Sequence, residues 1–418
     1  MNQALAVLEQ RGFLQQCTDR QALQAAMDAG PVTFYVGLDP TGPSLHAGHL
    51  VPLFAMVHLA RAGHNPIALI GAGTARIGDP SGKTEMRRML SIEDIARNAR
   101  SIQRQVERFL ETQGTRASIV NNADWLADLK YIEFLRDIGR HFSVNRMLSF
   151  ETYRKRLETG LSFIEFNYQL LQSYDFAVLN QQYNCRLQIG GDDQWGNIVS
   201  GADLIRRMYA TDAWGLTFPL VTRADGQKMG KTEQGAVFLD PAMVSPYEFF
   251  QYWRNVPDAD VRKFLYLYTF VDAAEVEELG NLRDQQINRA KERLALELTR
   301  MVHGQAEADT SLQAARAAFG ANGGAVAGAE ARSAIPETSV ALSAIRDGMT
   351  AVELFSLTDL CSSKAEARRL ITQKGARIND RVVESIDEAV TAESFAGDEL
   401  LLRAGRKRHF RVRLVRDR

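Results

Sequence analysis

Two histidines near the start of the chain have a spacing suited to chemistry on a phosphate group. His46 and His49 are three residues apart, so on a helix they lie on one face, and Gly48 between them leaves the backbone open to a flat ring. Two imidazoles in this position can donate hydrogen bonds to a phosphate. A structural role for both histidines is equally compatible with the pattern. A metal site is disfavoured, because no cysteine or carboxylate stands nearby at ligand spacing.

The segment around the histidines predicts the elements that would position them. A β-branched and aromatic run over 32–36 predicts a strand, and the residues from Gly37 to Ser44 are of types that end strands. The apolar pattern over 50–61 predicts a helix, with Ser44 as its N-cap. Strand, glycine-rich turn and helix N-terminus bring backbone N–H groups and the positive end of the helix dipole to one point, which is typical of phosphate binding.

A second informative helix is predicted over 161–178. Tyr168, Gln172 and Asp175 recur at i, i+4 and i+7, so three polar groups share one stripe of a strongly apolar helix. Polar groups in apolar surroundings are costly unless a partner binds them. A solvated outer face is the alternative, but glutamate or lysine is commoner on such a face. The stripe therefore indicates a binding site.

The loop over 78–84 contains a carboxylate and two cations. It resembles a P-loop but has three residues between its first glycine and its Gly-Lys pair, where a P-loop has four. We therefore reject a P-loop. We retain Asp79 as a buried carboxylate, with Lys83 and Arg87 as mobile cations, and a solvated surface loop as the alternative.

Two later strands lead into further candidate residues. The strand predicted over 186–189 ends in a double glycine and an acidic pair, and Asp193 at the head of the next helix suits a ribose hydroxyl. A last core strand is predicted over 218–222. The loop after it contains Lys228 and Lys231, although a lysine pair in a loop usually faces solvent.

The order of elements predicts the fold class. A buried parallel strand over 66–71 completes a strand-helix-strand unit, which begins a Rossmann-like, doubly wound α/β domain. Residues 247–319 have a helical pattern, and 320–339 are rich in glycine and alanine, as in flexible linkers. A small module of helix and strand follows. Residues 403–418 contain eight Lys or Arg against one acid, a charge pattern expected for RNA binding.

Composition restricts the classes of protein that remain. The 418 residues are 45% hydrophobic and 24% charged with a net charge of −1, as in ordinary globular proteins, so any polyanion binding must be regional. Three cysteines, far apart and without a CxxC pair, argue against a disulfide framework and against a zinc finger. We expect a cytoplasmic location, since no signal peptide is visible and the longest apolar run is too short to span a bilayer.

With these motifs in place, the whole chain resembles the bacterial tyrosyl-tRNA synthetases, which are class I aminoacyl-tRNA synthetases. His46-Ala-Gly-His49 is similar to their HIGH signature, and Lys228-Met-Gly-Lys-Thr232 is similar to their KMSKS loop. The departures are Ala47, Gly230 and Thr232, which leave both lysines in place. The resemblance implies a tyrosine-tRNA ligase that forms tyrosyl-adenylate and pyrophosphate from L-tyrosine and ATP and then transfers tyrosine to the 3′ end of tRNA(Tyr).

The resemblance also implies a role for each matching residue. The phenol group of the substrate tyrosine would be held by Tyr35 and Asp175. The ammonium group of the same substrate would be held by Asp79, Tyr168 and Gln172. The groups implied to bind ATP and the adenylate are Gly37, Asp39, Gly48, Gly191, Asp193, Gln194, Leu220, Val221 and Lys231. The groups implied to act in catalysis are Thr41, His46, His49, Lys83, Arg87, Lys228 and Lys231. The groups expected to bind RNA are Lys364, Arg368, Arg369, Lys374, Arg406, Lys407 and Arg408.

The implied organisation has three parts and a linker. They are a Rossmann-like catalytic domain over 1–235, a helical anticodon-binding domain over 236–320, a linker over 321–348 and an RNA-binding module over 349–418. The catalytic domain would include dimerisation helices at about 125–160 and the KMSKS-type loop at 226–233. ATP is implied as a substrate, with Mg²⁺ bound to ATP and pyrophosphate, no zinc and no other metal site. The implied partners are tRNA(Tyr) and a second copy of the chain, without a membrane.

Three other functions are compatible with parts of the pattern. The sister tryptophanyl enzymes share the fold and both signatures, but Tyr35 with Asp175 favours a phenol over an indole. A stand-alone nucleotidyltransferase with an HxGH motif would leave the helical domain and the basic tail unexplained. A non-enzymatic RNA-binding regulator on the same scaffold would be expected to lack the signature residues.

Overall fold

The computed structural model describes residues 3–81, 89–224, 229–232, 235–319, 335–379, 381–405 and 408–415, which fall into two units. The first unit comprises Met1–Asp240 and Pro257–Leu282, and the second comprises Pro241–Val256 and Arg283–Arg418. The helical stretch that the sequence assigned to one domain, 236–320, is therefore shared between the units.

A six-stranded sheet forms the centre of the first unit. Its strands are β1 (Gln16–Cys17), β2 (Thr33–Leu38), β3 (Asn65–Ile70), β4 (Ser118–Asn121), β5 (Cys185–Gly191) and β6 (Trp214–Phe218). Their order across the sheet is β1-β6-β5-β2-β3-β4, with β2 to β6 parallel and β1 antiparallel to β6. The predicted doubly wound α/β fold is confirmed. A two-residue hairpin of β7 (Lys231–Thr232) and β8 (Gly235–Ala236) lies outside the sheet.

Twelve helices in the described part of the first unit surround the sheet. They are α1 (Gln3–Gln10), α2 (Arg20–Ala29), α3 (Leu50–Arg61), α4 (Ile92–Thr112), α5 (Ala123–Leu126), α6 (Tyr131–Asp137), α7 (Val144–Ser149), α8 (Glu151–Thr159), α9 (Phe163–Tyr183), α10 (Trp195–Tyr209), α12 (Val261–Tyr268) and α13 (Ala273–Gly280). Eight of the twelve residues of α3 are buried, so this helix is part of the core and holds its N-terminal turn firmly against the sheet.

Two sequence predictions near the site are wrong. Helix α3 spans Leu50–Arg61 as predicted, but Ser44 is not its N-cap, because a 3₁₀ turn over Ala47–His49 precedes the helix and the Ser44 oxygen accepts the distant N–H of Asp240 at 3.2 Å. The last core strand is β6, which ends at Phe218, so most of the strand predicted over 218–222 is loop.

Helix α12 is fixed to the rest of the first unit near its C-terminal end by Arg11. The Arg11 guanidinium donates to the carbonyls of Tyr266, Thr269 and Val271, at 3.3, 2.8 and 2.7 Å. Helix C-termini leave carbonyls without intrahelical partners, and a guanidinium has several donors to offer them. The Tyr268 ring also packs edge-on against Phe54 of α3, with centroids 6.3 Å apart. Helix α12 is therefore a fixed part of the core.

The second unit contains helices and a small sheet. Its longer helices are α11 (Pro246–Arg254), α14 (Ile287–His303) and α15 (Gln305–Phe319). The sheet has the order β11-β10-β12-β13-β9, with strands β9 (Glu337–Ala341), β10 (Ala376–Ile378), β11 (Arg381–Val382), β12 (Glu399–Ala404) and β13 (Arg408–Val415). Its accompanying helices are α16 (Leu342–Arg346), α17 (Ala351–Ser356) and α18 (Lys364–Thr372).

The C-terminal module begins earlier in the chain than the sequence predicts. Strand β9 pairs in parallel with β13, and Val340 is part of the same apolar core as Phe355 and Val412. The first part of the predicted linker, 320–334, lies outside the described residues, but 337–346 form a strand and a helix of the module. No helix within the described ranges is long and apolar enough to cross a membrane.

Candidate active site

The sheet topology places the switch point of the doubly wound fold between β2 and β5. Chain connections run from β2 towards β4 on one side and from β5 to β6 on the other, so the strand order reverses at this point, where doubly wound folds bind their ligands. Gly37 lies near the carboxyl end of β2, yet it is exposed, and a Cβ atom added there would meet no atom within 4 Å. The carboxyl end of the central strand β2 therefore faces open space beside Gly37, and we call this region the cleft.

The HAGH turn, residues 46–49, lies at the N-terminus of the buried helix α3 and is held by its own imidazoles. The N–H of His46 donates to Nδ1 of His49 at 3.1 Å, and the N–H of Gly48 donates to Nδ1 of His46 at 3.1 Å. Since each Nδ1 accepts a hydrogen bond, the hydrogen of each neutral imidazole is on Nε2. Both rings therefore offer an Nε2–H donor, with ring centroids 3.9 Å apart.

Gly48 and Gly230 are required by close contacts at this turn. A Cβ on Gly48 would lie 2.9 Å from Cε1 of His46, so only glycine allows the ring to fold over it. Gly230, at φ +82°, lies beside the same backbone, and a Cβ there would lie 2.8 Å from Gly48 N. The N–H of buried Met229 donates to Val221 O at 3.1 Å. The described end of the KMSKS-like loop therefore packs directly on the HAGH turn.

The polar stripe on α9 faces inward and is not solvated. Tyr168 and Asp175 are buried, and the Tyr168 hydroxyl donates to Asp39 Oδ2 at 2.8 Å. Burial, together with the negative charges of Asp39 and Asp79, raises the pKa of Tyr168 well above its usual value. The Tyr168 hydroxyl therefore stays protonated as a donor. Gln172, the third member of the stripe, accepts from Asn197 Nδ2 at 3.0 Å.

Asp175 is a buried carboxylate with two fixed donors. Asn122 Nδ2 donates to Oδ2 at 2.9 Å, and Trp125 Nε1 donates to Oδ1 at 2.8 Å. Burial raises the pKa of Asp175 to about 8, although both of these hydrogen bonds lower it. Each oxygen still has acceptor capacity, so the carboxylate can receive a further hydrogen bond from a ligand hydroxyl.

Tyr35 places a phenol hydroxyl near the same point. Among the described residues its hydroxyl is fully buried and has no hydrogen-bond partner, and its ring lies 5.3 Å from that of Phe176. Burial, and secondarily the nearby Asp175, raises the pKa of Tyr35 well above its usual value. A buried hydroxyl without a partner costs about 1–3 kcal/mol. The free hydroxyl and the carboxylate together suit a ligand group that both donates and accepts.

A chain of amides connects Asp79 with Gln172. Gln194 Nε2 donates to Asp79 Oδ2 at 2.7 Å, and Asn197 Nδ2 donates to Gln194 Oε1 at 3.1 Å as well as to Gln172. The other Asp79 oxygen accepts the N–H of Ser81 at 2.8 Å. This chain brings the acceptor oxygens of Asp79 and Gln172 into one hydrogen-bonded cluster, and a cation beside them would be stabilised.

Asp193 lies on the 3₁₀ turn that follows β5, held from the side by α8. Thr152 Oγ1 donates to the Asp193 carbonyl at 3.1 Å, and Asp193 Oδ1 would lie 2.7 Å from a Cβ on Gly191. Thr41 is connected to the end of β2 by a hydrogen bond from its N–H to Asp39 O at 2.8 Å. Leu220 is 58% exposed and Val221 is partly buried, both in the loop after β6.

Sequence reasoning missed the residues that support Asp175. Asn122 is completely buried and donates to Thr74 Oγ1 at 2.9 Å, and Thr74 in turn donates to Asp39 Oδ1 at 2.8 Å. A continuous hydrogen-bonded network therefore joins Asp175 to Tyr168 through these side chains. The available signal was the pair of asparagines at the carboxyl end of a parallel strand, the edge where ligands bind.

Several predicted site residues cannot be placed. Lys83, Arg87, Lys228, Arg406 and Lys407 lie outside the described residues, and of Lys231 only the backbone, in β7, is described. Within the described ranges, no group of three or more His, Cys, Asp or Glu side chains could hold a metal ion.

The remaining predicted RNA-binding residues lie in the C-terminal module of the second unit. Arg368 and Arg369 are exposed on α18, and Lys374 follows that helix at φ +55°. Lys364 is exposed too and forms an ion pair with Glu353 at 3.0 Å. Arg408, at the start of β13, is partly exposed.

Comparison with known proteins gives consistent results. The family model described as tRNA synthetases class I (W and Y) matches residues 27–320. The tyrosine-tRNA ligase of Treponema denticola is 57% identical over 413 residues, which are 99% of each chain. That of Treponema pallidum is 56% identical over 413 residues, 99% of this chain and 98% of the relative. A solved structure of a C-terminally truncated mitochondrial tyrosyl-tRNA synthetase from Aspergillus nidulans is 29% identical, with a TM-score of 0.68 over 76% of this chain and 94% of that one.

Proposed function

Since this chain belongs to the class I aminoacyl-tRNA synthetases of the tryptophan and tyrosine branch and is a tyrosine-tRNA ligase, we propose that it activates tyrosine in the cleft between β2 and β5. The enzyme converts L-tyrosine and ATP to tyrosyl-adenylate and pyrophosphate, and then transfers tyrosine to the 3′ end of tRNA(Tyr). The observation that carries the placement is the buried pair of Tyr35 and Asp175 below the open end of β2.

The phenol of the substrate would be recognised by this pair. The substrate hydroxyl donates to Asp175 and accepts from Tyr35, whose own hydroxyl has no partner among the described residues. A site that pairs a substrate hydroxyl rejects the analogue without it, because its buried polar groups are then left unpaired. Tyrosine-tRNA ligases are the standard example of such rejection, with discrimination of about 10⁵ against phenylalanine.

The ammonium group of tyrosine would lie at the mouth of the cleft. Asp79 supplies a carboxylate there, Gln172 a carbonyl oxygen and Tyr168 a hydroxyl oxygen. The amide chain through Gln194 and Asn197 holds Asp79 and Gln172 in place before the substrate arrives, and the Tyr168 hydroxyl is held by Asp39. Such preorganisation lowers the cost of ordering the site on binding.

The reaction needs charge stabilisation and does not need a general base. The tyrosine carboxylate is already ionised when it attacks the α-phosphate, so the barrier depends on stabilising charge on the phosphates. His46 and His49 offer Nε2–H donors for this purpose, and Lys83, Arg87, Lys228 and Lys231 are proposed to supply mobile cations. The ribose would be held by Asp193, and the remaining ATP contacts are proposed at Gly37, Asp39, Thr41, Gly48, Gly191, Gln194, Leu220 and Val221.

Magnesium is proposed to arrive with ATP as part of the substrate. In the part of the chain that the structure describes, no cluster of three or more His, Cys, Asp or Glu side chains is available to form a metal cage. Mg²⁺ usually keeps several waters and binds substrate phosphates without a dedicated protein cage. The donor set of the described site fits that mode of binding.

Pyrophosphate exchange into ATP tests the activation step directly. With each amino acid offered separately, exchange is expected with L-tyrosine alone. Exchange with tryptophan would show that the phenol pair has been misassigned. Exchange with none of them would contradict the proposed site and favour a regulator that binds RNA without catalysis.

The C-terminal module is proposed to bind tRNA through its basic side chains. A chain that ends before residue 335 should form tyrosyl-adenylate at the normal rate, because the cleft lies entirely in the first unit. Charging of tRNA(Tyr) should fall at least 10²-fold, since loss of several phosphate contacts weakens binding steeply. The truncated chain should end before β9, because a chain that ends near residue 345 would keep β9 but lack its partner strand β13. Equal charging by the full and shortened chains would remove the module from tRNA binding.

A homodimer is proposed through the segment from α6 to the start of α9. Large apolar side chains are concentrated there on the surface: Tyr131, Ile132, Val144, Leu157 and Phe163. An exposed apolar surface of this kind is typical of a protein interface. Sedimentation at micromolar concentration should give a dimer, and Ile132→Asp with Phe163→Asp should give monomers. A wild-type monomer would contradict the proposal.

A cytoplasmic location is proposed because ATP and tRNA are available there.

A further inference from the structure

Asp260 occupies a helix-capping position but does not cap its helix. It is the residue before α12, where an aspartate normally accepts the N–H of the second or third helical residue. Its carboxylate makes no such bond, and instead accepts the N–H of Ala224 at 2.6 Å, 36 residues earlier in the chain. Asp260 is 2% exposed. A buried carboxylate that forgoes the local cap is committed to holding the distant segment.

Lys263 completes the same contact. Its Nζ lies 2.8 Å from Asp260 Oδ1 and donates to the carbonyl of Thr222 at 2.8 Å. The pair therefore binds a donor and an acceptor on the backbone of one short segment, 222–224. Two charge-assisted hydrogen bonds to a backbone fix its position in a way that a single contact does not.

The segment 222–224 leads directly into the KMSKS-like loop. The described part of that loop is held as well, because Met229 is buried with its N–H bonded to Val221 O, and Gly230 packs on Gly48. Helix α12, which presents Asp260 and Lys263, is itself fixed by Arg11 and by packing on α3. The segment from which the loop begins is thus connected through α12 to α3, the buried helix that supports the HAGH turn.

We propose that Asp260 and Lys263 are positioning residues for the KMSKS-like loop, which contains Lys228 and Lys231, because they fix the backbone of 222–224 from which that loop begins. Neither residue touches the reacting atoms. This inference rests on the proposed role of the two lysines. It predicts that the pair affects the step involving ATP and leaves tyrosine binding unchanged.

The test uses Asp260→Ala, Asp260→Asn, Lys263→Met and Lys263→Arg in the full chain. Pyrophosphate exchange should fall about 10²-fold for Asp260→Ala and about tenfold for Asp260→Asn and Lys263→Met, with the Kd for tyrosine unchanged by equilibrium dialysis. Lys263→Arg keeps the charge and the donor and should retain activity within about threefold. The double variant Asp260→Ala with Lys263→Met should be no worse than Asp260→Ala, because the two side chains act as one contact.

Asp272→Asn is the matched control, since Asp272 also accepts a backbone N–H, that of Ala274 at 2.9 Å, but caps α13 in the ordinary way. It should leave exchange unchanged. Unchanged exchange in Asp260→Ala and Lys263→Met would overturn the proposal, and so would a loss of tyrosine affinity equal to the loss of rate. Lys228→Ala and Lys231→Ala are measured in parallel. If they lower exchange while the Asp260 and Lys263 variants do not, this inference alone fails. If the Lys228 and Lys231 variants leave exchange unchanged, both this inference and the proposed role of the two lysines fail.

Discussion

Replacing Asp175 by alanine is expected to lower kcat/KM for tyrosine activation by about 10³-fold, equivalent to about 4 kcal/mol. The substitution removes the acceptor for the substrate hydroxyl and also leaves the buried donors of Asn122 and Trp125 without their partner. Pyrophosphate exchange over a range of tyrosine concentrations measures the effect. Unchanged kinetics for tyrosine would remove Asp175 from the site.

Tyr35→Phe is the informative companion, because its two effects should have opposite signs. Removing a buried hydroxyl without a partner should raise the free energy of unfolding by about 1 kcal/mol, while losing a neutral hydrogen bond to the substrate should lower kcat/KM about tenfold. Discrimination against phenylalanine should fall in the same variant. A variant that is destabilised and fully active would show that Tyr35 serves the core and not the substrate.

The raised pKa of Asp175 predicts that the free energy of unfolding depends on pH. Because burial raises its pKa to about 8, above the ordinary value of 3.8, the folded chain holds a proton that the unfolded chain loses between about pH 4 and pH 8. The contribution of this group to the free energy of unfolding therefore falls as the pH rises through that window, by up to about 1.4 kcal/mol per pH unit. Asp175→Asn keeps the volume of the side chain and should remove this dependence, as denaturant unfolding at several pH values will show.

The second large effect is expected at the HAGH turn. His46→Ala and His49→Ala should each lower kcat of tyrosine activation by about 10²-fold, because each removes a donor that acts on charge developing in the transition state. The KM for tyrosine should stay within about threefold, since the phenol and ammonium contacts are untouched. Single-turnover formation of tyrosyl-adenylate separates the two quantities.

His64 provides the matched control for the two histidines. Its Nδ1 accepts the N–H of Val32 at 3.1 Å, the same kind of imidazole-to-backbone bond as in the HAGH turn, but it lies before the amino ends of β2 and β3. His64→Ala should lower stability and leave kcat unchanged. If it lowers kcat as much as His49→Ala does, the effect at His49 is structural and the proposed contact with phosphate is wrong.

The sequence predicted those site features that depend on local spacing. The stripe of Tyr168, Gln172 and Asp175 follows from the helical period, and its inward orientation follows from the apolar residues around it. The parallel strands and the cleft at their carboxyl ends follow from the alternation of strand and helix. These features need only the order of residues along one element.

Features that depend on contacts distant in sequence were not predicted. The N-cap was misassigned to Ser44 because a 3₁₀ turn, capped by the ring of His46, lies between Ser44 and the first residue of α3. Asn122 could not be assigned a role, since its partners Thr74 and Asp175 are 48 and 53 residues away. The strand predicted over 218–222 was placed too late, because β-propensity does not mark where the ladder to the neighbouring strand stops.

The interleaving of the two units sets an order of events during synthesis. When residue 240 has been made, Arg11 and the segment 222–224 still lack α12, which is needed to complete the first unit. By the time Pro257–Leu282 has been made, α11 of the second unit already exists but lacks α14. Domains made on the ribosome generally fold one after another as they emerge. In this chain the second unit has begun before the first can finish, so the two are expected to mature together.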